Sequence, residues 1–494
     1  MALKAGSFIT TGHDRVLVER LQNSGPGTLN IPTEKIYELG NYESVATLRD
    51  TPDLTFTMES LDVSTDTEAL ICDIDPGTDT GINLATARPL NIATQIKPGQ
   101  KQDNAFSIAK SVGIPYLTIE SASYRFGLRD NASQTFSFRG DSIFYNQGPT
   151  YVDEFVGTGV AGQEIATTHP AYTYTDGNGT RRILAVVVGV ERLSFGPDYQ
   201  LEDGVLVGDA APVTITLTNP VPVTERIRVM YASPDAREYP QAVHTPATLK
   251  PAAVRGKDID VYIGGYDPED IEGSAVHKWT GVQSVTVDWR VTLETEEEFG
   301  NYFAVSKDFE VPTVSGTVDI LPRNTDDLFR KLREITGITS ATASIGASTA
   351  VPLALDVVLK DGANGGITLK RLHCKDATFS VPGYSPRPNA NVTVTLNWES
   401  DSGELLIFRD LTKPLVAELS DSEGAAGDSV KILGTNFVGV TAVKFGAVPA
   451  TSYTVDSGRQ ITAVVPAGAD TVDVTVTNGK GVSTATPAGK FTYA

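Results

Sequence analysis

Side chains able to do chemistry are few and scattered in this chain. The five histidines, His13, His169, His244, His277 and His373, have no metal-ligand spacing. Cys72 and Cys374 lie far apart and form no disulfide framework. The adjacent His373 and Cys374 lack the second pair that a zinc site needs, so both thiols are expected to be buried and inert. Asp73-Ile74-Asp75, followed by Gly77, Asp79 and Gly81, has the spacing of a calcium-loop start but not its bidentate glutamate. The acidic run Glu294, Glu296, Glu297, Glu298 reads as a solvated turn. No G-x-S-x-G, P-loop or H-E-x-x-H motif occurs. The expectation is a protein that is not an enzyme and takes no cofactor and no metal.

The elements carrying these residues are mostly strands. Val285, Val287, Trp289, Val291 and Leu293 alternate with Thr286, Asp288, Arg290 and Thr292, and Val392, Val394, Leu396 and Trp398 alternate likewise. Trp289 and Trp398 fall at core parity. Asp176-Gly177-Asn178-Gly179 is a hairpin turn signal. One stretch, Thr325 to Thr336, reads as a helix: Asn324 suits the N-cap, Asp326 and Asp327 favour its positive end, and Gly337 can close it. Leu328, Leu332 and Ile335 give it one apolar stripe.

The chain has 494 residues and a net charge of −21, enough length for three or four domains. This acidity excludes binding nucleic acid by phosphate neutralisation, which needs clustered Lys and Arg. It fits solubility, or a surface past which a polyanion must slide. No apolar run reaches the length of a membrane span. The first twenty residues lack a signal-peptide core, so synthesis in a cytoplasm is expected.

An internal repeat organises the chain. Glu38-Leu39-Gly40-Asn41-Tyr42 recurs as Glu298-Phe299-Gly300-Asn301-Tyr302, 260 positions on from 38 to 298. At this offset Met58 meets Val318, Glu59 meets Asp319, and Ser64-Thr65-Asp66 meets Asn324-Thr325-Asp326, which places a short helix at Glu68 to Ile71. Asn131-Ala132 likewise precedes Phe136 and Phe138 as Asn389-Ala390 precedes Val394 and Leu396. The divisions expected are a first copy in 1–150, an inserted small β domain and linker in 151–256, a second copy in 257–410, and a C-terminal domain in 411–494. Strands in the insert are expected at Arg182 to Val190, Val213 to Thr218 and Arg226 to Tyr231.

From Lys413 onward the sequence resembles the IPT/TIG family of immunoglobulin-like domains. The resemblance is carried by Pro414, Gly424, Gly427, Gly434-Thr435-Asn436-Phe437, Val443-Lys444-Phe445-Gly446, Ile461 to Pro466 and Val472 to Gly479. Phe437, Phe445 and Val474 sit at inward parity for a two-sheet sandwich.

The repeated unit resembles the phage tail tube fold in its order of elements. These are the opening strand Asp258 to Ile263, the long strand Ser284 to Glu294, Pro312 to Val318 before the helix, and the closing strands Ala377 to Val381 and Val392 to Trp398. The 77–104 loop is longer than that fold needs. The fold class expected is mainly β: two tail-tube-type β-sandwich or barrel domains, each with a short helix, the inserted β domain and the immunoglobulin-like sandwich.

The resemblance implies a bacteriophage tail protein of the virion, made in the host cytoplasm. Two tube folds per chain imply a trimeric ring with pseudo-sixfold symmetry, stacked into a tube with an acidic lumen that conducts DNA as non-sticky cargo. It also implies tape measure, terminator and distal tail proteins as partners, and a C-terminal decoration implies a non-contractile tail. Thr55, Thr57 and Glu59, with Ser315, Thr317 and Asp319, are the candidate lumen-facing residues, although alternation does not tell which face is inside. Another ring-forming tail protein (sheath, terminator or distal tail) is an alternative. So is a secreted adhesin or glycan-binding protein of immunoglobulin-like modules.

Overall fold

The computed structural model describes residues 4–8, 21–37, 44–49, 52–61, 65–74, 81–97, 111–176, 179–201, 212–235, 254–266, 277–296, 305–322, 325–336, 351–361, 367–380, 393–408, 414–435, 437, 439–457, 460–478, 481–483 and 485–493. The chain is mainly β.

The first half comprises β1 (Lys4–Phe8), β2 (Leu21–Asn30), the hairpin β3 (Thr33–Tyr37) and β4 (Ser44–Arg49), β5 (Asp53–Ser60), helix α1 (Asp66–Ile71), β6 (Ile82–Asn83), β7 (Leu90–Lys97), β8 (Ser111–Gly127), β9 (Ser133–Gly140) and β10 (Phe144–Asn146). An insert follows: β11 (Thr150–Val156), β12 (Glu164–Ala166), β13 (Tyr174–Asp176), β14 (Gly179–Arg181), β15 (Ala185–Val188), β16 (Glu191–Arg192), β17 (Tyr199–Leu201), β18 (Thr214–Leu217) and β19 (Arg226–Ala232). The second half holds β20 (Ile259–Ile263), β21 (Val282–Arg290), the hairpin β22 (Leu293–Glu296) and β23 (Ser306–Phe309), β24 (Thr313–Ile320), helix α2 (Thr325–Thr336), β25 (Leu353–Asp361), β26 (Ile367–Phe379), β27 (Val394–Ser400) and β28 (Leu406–Phe408).

The two halves pair their strands in the same order. One sheet runs β2-β5-β9-β8 and continues without a break into β21-β24-β27-β26. β1-β7 extends from β8 in the first half as β20-β25 extends from β26 in the second, and β10 lies on β8 as β28 lies on β26. The hairpins β3-β4 and β22-β23 also correspond. The join is antiparallel, with Ser284–Arg290 of β21 opposite Gly127–Ser121 of β8.

Alternation explains why this sheet has one dry face. Leu54, Phe56 and Met58 point to one side with Phe136, Phe138, Val285, Val287, Trp289, Val314, Val318, Leu396 and Trp398, and all are buried in one core that spans both halves. Ala69, Leu70 and Ile71 of α1 and Ile335 of α2 close that core. Helix α2 has the expected bounds, with Ile335 buried and Leu332 packed on the core; Asn324, Gly337 and the Leu328 side chain lie outside the described residues. No described helix is long and apolar enough to cross a membrane.

Two expectations change. The stretch 77–104 is not simply a long loop, because Leu90–Lys97 forms β7, paired with both β1 and β8. Its signal was weak because Leu90, Asn91, Ile92 and Ala93 are all buried, so polarity does not alternate there. Glu294 and Glu296 lie on a strand, β22, rather than in a turn; Ser306 Oγ donates to Glu296 Oε2 across the hairpin at 2.8 Å. Glu297 and Glu298 lie outside the described residues.

The insert builds sheets β11-β19-β15-β16 and β12-β18-β17 over a core of its own, including Tyr151, Ile165, Val186, Ile215, Ile227 and Tyr231. β13 and β14 pair around the predicted turn. A second cluster, Tyr116, Val152, Leu184, Ala185, Val187 and Met230, seats the insert on β8. With both of its faces covered, β8 is buried at every residue from 111 to 119. Arg192 and Asp141 form a buried ion pair at 2.9 Å across this joint.

The C-terminal strands are β29 (Leu415–Leu419), β30 (Glu423–Gly424), β31 (Ser429–Thr435), β32 (Ala442–Phe445), β33 (Val448–Pro449), β34 (Ser452–Ser457), β35 (Gln460–Val464), β36 (Thr471–Asn478), β37 (Gly481–Val482) and β38 (Lys490–Tyr493). They form sheets β29-β31-β35-β34 and β30-β38-β36-β32-β33 around Val416, Ile432, Phe437, Phe445, Val474 and Phe491. Phe437, Phe445 and Val474 are inward, as expected.

Candidate interaction surface

The solvent side of the long sheet carries the residues singled out by alternation. Residues directly opposite in antiparallel strands share a face. Register therefore links Glu59 to Thr135, Thr135 to Ser123, Ser123 to Asp288, Asp288 to Ser315, and Ser315 to Glu399. A neighbouring row runs Ser133, Arg125, Thr286, Thr317, Asn397. All six candidates thus lie on one continuous face: Thr55 and Thr57 are exposed, and Glu59, Ser315, Thr317 and Asp319 are half-buried. The repeat-signature residues Gly40, Asn41, Tyr42, Gly300, Asn301 and Tyr302 lie outside the described residues.

Side chains on this face are tied across strands. Asp319 accepts from Ser284 Oγ and from Thr395 Oγ1, each at 2.5 Å, so one carboxylate bridges three strands. Thr286 and Thr317 share a hydrogen bond at 3.0 Å. Arg139 grips Asp53 with Nε at 2.8 Å and Nη2 at 2.9 Å, with Glu120 at 3.7 Å. The Arg139 hydrogen bond holds the Asp53 carboxyl below its ordinary 3.8, outweighing partial burial.

The face mixes charges, with carboxylates in excess. Carboxylates of Asp53, Glu59, Asp288, Asp319 and Glu399 are interspersed with guanidiniums of Arg125, Arg139 and Arg290, and Ser and Thr make up most of the remainder. Hydroxyls outnumber both kinds of charge on it. A cleft of about 390 Å³ opens beside the join, between Glu120, Ser121, Arg290, Val291, Thr292, Val311 and Thr313.

Several strands of this sheet system, β1, β2, β6, β10 and β20, have a single partner strand among the described residues. β2 pairs with β5 on one side only, and β10 pairs with β8 on one side only. Their counterparts β21 and β28 are each paired on both sides, β21 with β8 and β24, β28 with β26 and β6.

Several of the remaining reactive groups among the described residues are buried or engaged. Burial pushes the thiols up, Cys72 to about 12 and Cys374 to about 11, where neither is a nucleophile at neutral pH. His373 Nδ1 lies 2.8 Å from Asp356 Oδ1. Asp73 is engaged by Arg228 Nη2 at 2.5 Å, while Asp75, Gly77 and Asp79 lie outside the described residues. No group of three or more metal-ligating side chains occurs among the described residues.

Sequence reasoning missed a buried polar cluster joining the halves: Lys370, Glu68, Tyr124 and Gln134. It also passed over Tyr145, whose side chain is 76% exposed on the open edge of β10. Neither has a local motif, because each depends on pairing between distant strands.

Residues 414–493 match the IPT/TIG domain family. The C-terminal sandwich is an IPT/TIG domain. Within the IPT/TIG domain, β33 and β37 carry the exposed side chains of Val448 and Val482. Its turn after β32 uses Gly446, at φ 62°, a conformation that favours glycine.

No curated protein matches the chain by sequence. Among solved structures, the full extracellular region of plexin A4, domains 1 to 8, shows 7% identity over 92% of this chain and 62% of that one. Its TM-score of 0.17 is too low to carry an argument. The chain spans less than two thirds of that plexin chain.

Proposed function

We propose that this chain is a structural subunit of a bacteriophage tail tube, located in the virion. Three copies close into a ring with pseudo-sixfold symmetry, and rings stack into a conduit for genomic DNA.

The β8–β21 join carries this reading. In the order of the sheet, β21 at the near side of the second half is hydrogen-bonded to β8 at the near side of the first, so the repeated units are already linked head to tail. β2 holds the place of β21 in the first half, and its outer edge is open among the described residues. A heterologous contact repeated through a rotation that closes makes a ring, and closure pairs every edge.

The hydroxyl-rich face suits a lumen. Among the described residues it has no cluster of Lys and Arg to release counterions from phosphates, so DNA gains little by staying. Tape measure, terminator and distal tail proteins are the further partners of this reading. The IPT/TIG domain, carried on the outside, occupies the space a sheath would need, which favours a non-contractile tail.

Electron microscopy of the purified protein tests the proposal: hollow striated tubes with external knobs are expected. Single rings of fixed height would instead favour a terminator or distal tail protein. An adhesin of immunoglobulin-like modules is supported by the IPT/TIG domain alone. It lacks an exposed tryptophan platform for glycans, since Trp279, Trp289 and Trp398 are all buried.

A further inference from the structure

A lysine, a primary amide and a carboxylate meet in the core shared by the two halves. Lys370 Nζ on β26 donates to Gln134 Oε1 on β9 at 2.9 Å and also to Glu68 Oε1 on α1. Lys370, Gln134 and Glu68 are 1%, 2% and 0% exposed. Tyr124 OH donates to the same Glu68 oxygen at 2.9 Å, which orients the carboxylate. The Tyr124 ring lies 4.7 Å from the Lys370 ammonium, with Phe136 edge-on to that ring at 6.1 Å. One amine thus faces an amide carbonyl and a carboxylate together, away from bulk water.

These are the parts of an acyl transfer. A lysine amine is a nucleophile once it has given up a proton. A carboxylate in contact with it can take that proton and return it to a leaving group. A side-chain amide is a weak electrophile, so the reaction needs the amine held against the carbonyl, and fixed contact in the fold supplies that. Burial adds a driving force. The unreacted cluster keeps an ammonium and a carboxylate out of water, which is costly, and the reaction removes both charges.

We propose that Lys370 and Gln134 join in an isopeptide bond, with Glu68 as the catalytic base and then acid. Glu68 takes a proton from the Lys370 ammonium. A rotation of the Gln134 amide turns its carbonyl carbon to the freed Nζ lone pair, and the Nζ–Cδ bond forms. Glu68 relays a proton from Nζ to Nε2, the Cδ–Nε2 bond breaks, and ammonia leaves. The new amide keeps one hydrogen, ammonia carries three, and Glu68 retains the remaining proton, so charge balances and no oxidant or co-reactant enters. The hydrogen-bonded cluster is the unreacted state, in which the buried ion pair alone holds these elements. The bond ties β9 of the first half to β26 of the second across 236 positions of chain. The halves then stay joined even where strand pairing melts. This does not depend on the tail-tube reading.

The test is the denatured intact mass of the purified full chain, taken after the folded chain has been incubated until its mass no longer changes. The mass is expected to lie one ammonia below that of the sequence, with a branched peptide linking Lys370 to Gln134 after proteolysis. Gln134→Met removes the acyl donor without stranding a charge. It is expected to keep its full mass and to migrate more slowly than wild type on a denaturing gel. Glu68→Gln is expected to remain unlinked, and the wild-type mass and peptide map decide the bond whether or not that variant folds. A wild-type chain at full sequence mass overturns the inference. So does an ammonia loss that maps elsewhere, such as Asn178-Gly179, or a loss of one water, which joins Lys370 to Glu68 instead. A Glu68→Gln chain that still links overturns the role of Glu68. None of these outcomes touches the ring reading.

Discussion

Lys370 of β26 donates a hydrogen bond to Glu68 of α1, 302 positions away, and both side chains are buried. Tyr124 OH donates to the same Glu68 Oε1 at 2.9 Å, and Gln134 Oε1 accepts from Lys370 at 2.9 Å. The Lys370 ammonium also lies 4.7 Å from the centroid of the Tyr124 ring. This cluster draws on both halves and sits in their common core. Glu68 Oε2 has no hydrogen-bond partner among the described residues, so the carboxylate depends heavily on the lysine.

Removing one partner strands the other charge. Lys370→Met is expected to destabilise the chain by about 3–5 kcal/mol, whereas Glu68→Gln combined with Lys370→Met costs much less, because no buried charge is left unpaired. Denaturant unfolding of the dissociated chain, followed by fluorescence of the buried Trp289 and Trp398, measures the difference.

Gly316 sets the packing next to Trp398. It lies between Val287 and Trp398 in the sheet register. A Cβ there would stand 2.9 Å from Trp398 Cζ2 and 2.0 Å from the Thr286 carbonyl oxygen. Gly316→Ala is expected to cost on the order of 1–3 kcal/mol through overpacking, and to shift Trp398 emission. Unchanged stability and emission would remove the steric argument.

The Asp53–Arg139 pair gives the sheet an acid-sensitive contact. Asp53 is favoured in its ionised form in the fold, so its contribution is present above the ordinary 3.8 and is lost as pH falls through the lower folded-state value. Asp53→Asn is therefore expected to be less stable than wild type at neutral pH, with the gap closing in acid. Denaturant midpoints of both proteins across pH check this, and a gap that widens in acid would contradict it.

Much of the fold was legible because alternation is a direct record of burial. Val285, Val287, Trp289, Leu396 and Trp398 all point where parity predicted, and the helix bounds were readable from capping chemistry. β7 was hidden because its first four residues, Leu90 to Ala93, are buried whichever face they point to. The pairing of β8 with β21 was not readable either, since nothing local in Ser284–Arg290 encodes which strand lies beside it. The candidate face was found residue by residue, but its hydroxyl character emerged only when register brought β8 and β9 between the two candidate strands.

That character is testable through DNA retention. Ser315→Lys and Thr317→Lys place cations on half-buried positions of the face without touching the core. Assembled wild-type tubes are expected to retain no DNA at physiological salt. The lysine variants are expected to bind it with an affinity that falls steeply as salt rises. Equal retention by wild type and variants would separate this face from the DNA path.

The central claim is that the open edge of β2 pairs with another copy as β21 pairs with β8. Cryo-electron microscopy of the assembled chain reads it directly. The account predicts three chains per ring and main-chain hydrogen bonds from a neighbouring chain along the outer edge of Leu21–Asn30. A monomer under all assembly conditions, or rings in which that edge remains unpaired, would contradict it.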